Sequence, residues 1–155
     1  MTHEIRLTRQ RGALLLEGLI GILLFSIGIL AVVALQGSAT KAVTQAKVRS
    51  DAGFLADELI GEIWANRNNA ATFVYPVATP PAAVGAWVNQ VKGSLPNAAN
   101  YPPTVVVTPT VYAGPPAYTA YQVTVTLFWQ MPDEYNTAPR PPAHSLIFTT
   151  LIPCC

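Results

Sequence analysis

Residues 13–35 are apolar or small at every position except Glu17 and Ser26. As an α-helix this run is about 35 Å long at 1.5 Å per residue. The hydrocarbon core of a bilayer is about 30 Å thick. A segment of this kind either spans a membrane or is removed on the way through one. Residues 1–12, MTHEIRLTRQRG, carry Arg6, Arg9 and Arg11 against Glu4. That basic flank keeps the N-terminus in the cytoplasm by the positive-inside rule.

Proline divides the rest of the chain. Every proline lies at Pro76 or beyond, so the first half can be one uninterrupted helix and the second half cannot be mostly helical. A length of 155 residues gives room for one hydrophobic core. With 51% hydrophobic and 11% charged residues, the chain is far from disordered composition. A net charge of +1 gives no reason to propose nucleic-acid binding by bulk electrostatics.

Three interpretations fit the N-terminal segment. It is a secretory signal cut near Gly37-Ser38-Ala39, an unprocessed transmembrane anchor, or a leader cut ahead of an apolar helix that stays on the mature chain. The length of the run and the ionisable Glu17 near its start weigh against the first. A carboxylate inside a membrane span is costly and marks a functional site by default. The simpler account of Glu17 is that it favours the positive end of the helix dipole near the interface.

The stretch Arg9-Gln10-Arg11-Gly12-Ala13-Leu14-Leu15-Leu16-Glu17 resembles the type III signal of type IV pilins and type II secretion pseudopilins. The shared pattern is a basic leader ending in Gly, an apolar residue, and Glu at the fifth mature position. The resemblance implies cleavage between Gly12 and Ala13 by a prepilin peptidase that also N-methylates Ala13. It implies an assembly role for Glu17, which would pair with the N-terminal amine of a neighbouring subunit. Ala13 stands where major pilins usually carry Phe, a departure shared with many minor pilins.

Past Leu35, Ala52, Leu55, Ala56, Leu59 and Ile63 recur at helical spacing, with Arg49, Asp57, Glu58 and Glu62 as the polar complement. Lys47 and Asp51 sit at i, i+4 in the less favourable order. One helix of about 80 Å is expected, transmembrane over residues 13–35 and amphipathic over 36–68, ending in the Asn-rich turn around Arg67. Gly18, Gly21 and Gly28 are either close-packing positions between helices or ordinary membrane-helix glycines. Residues 6–68 most resemble PilV-type minor pilins.

Residues 69–155 are expected to form a Pro-rich head. Val84, Trp87, Val88, Val91 and Leu95 form the stripe of a short helix over 82–95, with Trp87 in the core. Strands are expected over 104–108, limited by Pro109, over 121–130, and over 145–152. Tyr121, Val123, Val125, Leu127 and Trp129 share one face; Gln122, Thr124, Thr126 and Gln130 share the other, which Phe128 interrupts. The connections lack a crossover helix, so antiparallel pairing follows. The fold class is α+β: a long N-terminal helix packed on a small antiparallel sheet, the lollipop the resemblance implies.

No nucleophile elbow, phosphate loop or metal-spaced His/Cys cluster is present, so no enzyme and no cofactor are expected. His3 falls in the leader and His144 stands alone beside a Pro-rich loop. In that loop Asp133, Glu134 and Asn136 offer oxygen ligands of the kind some pseudopilins give calcium, but without EF-hand spacing; a solvated, Pro-stiffened loop is the simpler account. Cys154 and Cys155 are adjacent and cannot staple a long loop. They are an incidental tail, a vicinal disulfide, or an intermolecular bond in an oxidising periplasm. The resemblance implies a minor pilin of a type IV pilus, acting in priming or tip-complex assembly and so in attachment, twitching motility or DNA uptake. The alternative is a minor pseudopilin of a type II secretion system. Implied partners are major and minor pilins, the peptidase and methylase, the inner-membrane assembly platform and a tip adhesin. The implied location is the bacterial inner membrane with the head periplasmic, then the pilus tip or cell surface.

Overall fold

The computed structural model describes residues 11–114 and 118–154. Most of the leader expected over 1–12, His3 included, and Cys155 lie outside the described residues. Five regular elements follow one another: α1 (Arg11–Ala65), α2 (Ala82–Ser94), β1 (Thr104–Tyr112), β2 (Tyr118–Trp129) and β3 (His144–Pro153). A 3-10 segment, Arg67–Phe73, lies between the two helices. The class is α+β, with one long helix and a three-stranded antiparallel sheet in the order β1-β2-β3.

Two compact units divide the chain between Thr44 and Gln45, within α1. In the first, the large apolar side chains of the helix from Leu14 to Leu35 are exposed, with Glu17 and Ser26 the polar side chains among them. Its polar hydroxyls turn back on the helix: Ser26 Oγ donates to Ile22 O at 2.7 Å and Thr40 Oγ1 to Gln36 O at 2.9 Å. Such bonds satisfy a hydroxyl without water.

The second unit holds the core. Val48, Ala52, Leu55, Ala56, Leu59 and Ile63 of α1 are buried with Val84, Trp87, Val88 and Val91 of α2 and with Val105, Val123, Val125, Leu127 and Trp129 of the sheet. The stripe on α1 follows the three-and-four spacing that brings side chains onto one helical face. Trp87 lies in the core, where its Nε1–H donates to Leu55 O at 2.7 Å, a buried link from α2 to α1. At the rim, Gln90 Nε2 donates to Glu58 Oε2 at 3.0 Å. Lys47 and Asp51 form no ion pair among the described residues.

The helix stops at Ala65, short of the expected reach to residue 68. Asn66 takes φ −111° and ψ 30°. Its N–H divides between Glu62 O and Ile63 O, and its Nδ2 donates to Glu62 O at 3.0 Å. A side chain that competes for helix carbonyls in this way ends the ladder.

β1 runs past Pro109 to Tyr112, longer than the expected strand. The reason is the phase of the hydrogen bonds. Val105 exchanges both backbone bonds with Tyr75 on the side away from β2. In an antiparallel ladder alternate residues point the same way, so the backbone N position of Pro109 also faces away from β2. A proline there removes no ladder bond. Tyr112 and Tyr118 close the paired register as a stacked cross-strand pair with ring centroids 4.9 Å apart.

Val123, Val125, Leu127 and Trp129 are buried along β2, and Tyr121 is half-buried beside them. Gln130 departs from the expected alternation: it is fully buried, not on the polar face. It lies one residue beyond β2, where the pleat no longer dictates direction. Its N–H donates to Pro96 O, its Nε2 to Pro141 O at 2.9 Å, and its Oε1 accepts from Asn97 Nδ2 at 3.1 Å. Asn97 holds φ 59° in the turn after α2, a left-handed conformation that Asn tolerates better than most residues.

Candidate functional site

The sequence motif falls on the start of α1. Gly12 and Ala13 occupy its first turn and Glu17 stands one turn further on, all exposed. Ala13 and Glu17 are four residues apart, hence neighbours on one helical face. The same face continues through Gly21, Leu24 and Gly28. Gly21, Leu24 and Gly28 line a shallow apolar groove of about 930 Å³ along the helix, with Phe25, Ile29 and Val32 beside them. A Cβ at Gly18, Gly21 or Gly28 would meet nothing within 4 Å.

Glu17 has no hydrogen-bond or ion-pair partner among the described residues. Its neighbours Leu14, Leu16, Ile20 and Leu24 are apolar and exposed. The helix that carries it is the one helix among the described residues long and apolar enough to cross a membrane, by length and composition.

The head presents a second polar cluster, in the loop between β2 and β3. Glu134 closes this loop: Oε2 accepts from Met131 N–H at 2.9 Å and Oε1 accepts from His144 Nε2 at 2.7 Å. His144 stacks on Trp129 with centroids 5.8 Å apart. Burial pushes the Glu134 carboxyl up, and nearby Asp133 adds a smaller push the same way. The His144 and Met131 hydrogen bonds and the His144 charge outweigh both and hold it below its ordinary value. Asn136 Nδ2 donates to Pro132 O at 3.2 Å. Among the described residues no group of three or more His, Cys, Asp and Glu side chains is arranged to hold a metal ion. Of the residues considered for calcium, Glu134 Oε1 faces His144 and Asn136 Nδ2 faces its own loop backbone.

Cys154 is disulfide-bonded and largely buried. Its N–H donates to Thr119 O at 2.8 Å, which ties the C-terminus to β2. The sequence singled out Glu134 and His144 separately and missed their contact. The antiparallel turn from β2 to β3 pairs Trp129 with His144, and that register is what returns His144 to the start of the loop. Gln130 gave no signal beyond its place next to Met131-Pro132.

Comparison of the chain with family models, curated proteins and solved structures finds no match.

Proposed function

We infer that the chain is a pilin-like filament subunit, most consistent with a minor pilin of a type IV pilus. The observation that carries this is Glu17, without a partner among the described residues, one turn after Ala13 on an exposed apolar helix whose continuation forms part of a head core. An intramembrane carboxylate needs a positive partner at similar depth. A neighbouring subunit with its own new amine at Ala13 would supply one, and the pairing would set the stagger between subunits. The apolar helix would lie in lipid before assembly and against other pilin helices after it, in a lollipop arrangement with the head outside.

In this role the chain works by packing and catalyses nothing. It is the substrate of a peptidase that cuts between Gly12 and Ala13 and of the methylase that caps Ala13. Its other partners are major and minor pilins, the assembly platform and a tip adhesin. It starts in the inner membrane with a periplasmic head and ends at the pilus tip or cell surface.

The test is the intact mass of the protein extracted from membranes of a cell with its own assembly machinery. Loss of residues 1–12 plus one methyl group is expected. A full-length mass, or a cut near Ala39, removes the proposal.

A further inference from the structure

The two ends of β1 are held differently. Near its start, Val105 pairs with β2 on one side and exchanges both backbone bonds with Tyr75 on the other. Toward its finish that second neighbour is gone, and β3 runs out as well. The β2–β3 register stops at Ala120, opposite Pro153, and the Cys154 N–H bonds Thr119 O one position on. Tyr118 lies beyond both. Where Tyr112 pairs with Tyr118 the sheet is therefore two strands wide. A two-stranded hairpin is marginal in water, so this end is the place where the sheet opens most readily.

The side chains at that end are two phenols. The register sets them directly opposite, and their rings stack with centroids 4.9 Å apart and planes 11° from parallel. Mutual attraction of the rings accounts for the stacking. It does not account for the chemistry that the pair makes possible. Of the 6 tyrosines in the chain, these two form the one tyrosine–tyrosine ring contact among the described residues. They are also the most open to solvent, at 38% and 43% exposed; Tyr75, Tyr101, Tyr121 and Tyr135 are all more covered.

We propose that Tyr112 and Tyr118 are a modification site, where oxidation joins the two rings by a carbon–carbon bond and locks the open end of the β1–β2 hairpin. The oxidant is hydrogen peroxide acting through a haem peroxidase, which takes electrons from phenols one at a time. Each phenol gives up one electron and its O–H proton. The two phenoxyl radicals couple through ring carbons ortho to oxygen. Each of those carbons then loses its hydrogen as a proton while a proton returns to the oxygen, which restores both phenols. Peroxide takes the two electrons and two protons and leaves as two waters, so the protein loses two hydrogens. Between free tyrosines this coupling needs an encounter of two radicals; here the register has already brought the rings together. The joined rings need more room between the strands than the stacked pair, and the end past β3 can part to give it. The inference rests on the hairpin register and not on the filament assignment.

The test treats the full chain in detergent with a haem peroxidase and hydrogen peroxide, with free tyrosine in a parallel tube to show that the oxidant works. After reduction of the disulfide and cleavage behind Lys92, the C-terminal fragment is expected to be lighter by two hydrogens. Its fragmentation spectrum should lack backbone breaks between Tyr112 and Tyr118. Diluting the protein about tenfold should leave the coupled fraction unchanged, as an intramolecular step requires. Tyr112→Phe and Tyr118→Phe each keep a ring in the stack but remove one phenol, and each should abolish the product; Tyr101→Phe should not. Three results would each overturn the proposal: no lighter fragment where free tyrosine couples, a product that survives both Phe variants, or coupling found only between chains and lost on dilution.

Discussion

One helix presents two opposite surfaces. Up to Thr44, large apolar side chains of α1 are exposed at almost every turn, Phe25 to 70%. From Gln45 onward most apolar side chains fall on one stripe, with Phe54 and Trp64 exposed off it, and Leu59 and Ile63 are wholly buried in the head core. Secondary structure is the same in both parts, so propensity does not separate them. What separates them is the solvent each sequence suits: an all-round apolar surface suits lipid or other apolar helices, and a striped one suits water on one side and a core on the other. Helicity alone therefore says little about the role of α1; the angular distribution of its apolar residues says much more.

The sharpest way to break this contrast is to delete the same side chain on each side of it. Leu59→Ala should lower the unfolding free energy of the head by about 2–5 kcal/mol, the usual cost of emptying a fully buried leucine site. Leu24→Ala should leave it within about 0.5 kcal/mol. Urea titrations in micelles, followed by tryptophan fluorescence, would compare the two. Equal losses would mean that the apolar part has protein cover within the same chain, and the contrast would fail.

A smaller effect sharpens the same comparison with hydrogen bonds. Trp87→Phe keeps a ring in the core but removes the donor to Leu55 O, and should cost about 1 kcal/mol. Ser26→Ala removes a bond of the same length, 2.7 Å to Ile22 O, and should leave the melting temperature of the head unchanged. The first bond joins two elements across the core. The second only returns to its own helix.

The elements were legible wherever a pattern persists over several residues. The apolar run over 13–35, the stripe ending at Ile63, the short helix over 82–94 and the alternation along β2 all depend on repetition, which the sequence displays. What escaped depends on phase or on a single contact. Pro109 reads as a strand terminator until the phase of β1 places its missing donor on the outer side. Gln130 reads as surface until the end of β2 frees it from alternation and three partners converge on it. Of the candidate site, Glu17 was legible because a carboxylate in an apolar run conflicts with its neighbours. The contact between Glu134 and His144 required the β2–β3 register, which no local signal encodes.

These two glutamates give the last comparison and the smallest expected effect. Glu17 finds no partner among the described residues, whereas Glu134 is held by His144 and the Met131 N–H. The folded protein therefore stabilises the ionised form of Glu134 and keeps its pKa below the unfolded value. A depressed carboxyl contributes stability that is fully present above its unfolded pKa, about 4.3 for glutamate, and is lost as pH falls through the folded value. Because the side chain is about one-fifth exposed, at 21%, solvent screens part of the interaction and the contribution is modest. Glu134→Gln should therefore remove a modest, nearly pH-independent contribution above about pH 5 and flatten the acid limb of the stability curve of the head, the two proteins converging as pH falls. Chemical denaturation of both proteins across the acid range would check this. Parallel acid limbs would show that the contact between Glu134 and His144 contributes nothing to holding the loop, and the apparent difference between the two glutamates would lose its energetic meaning.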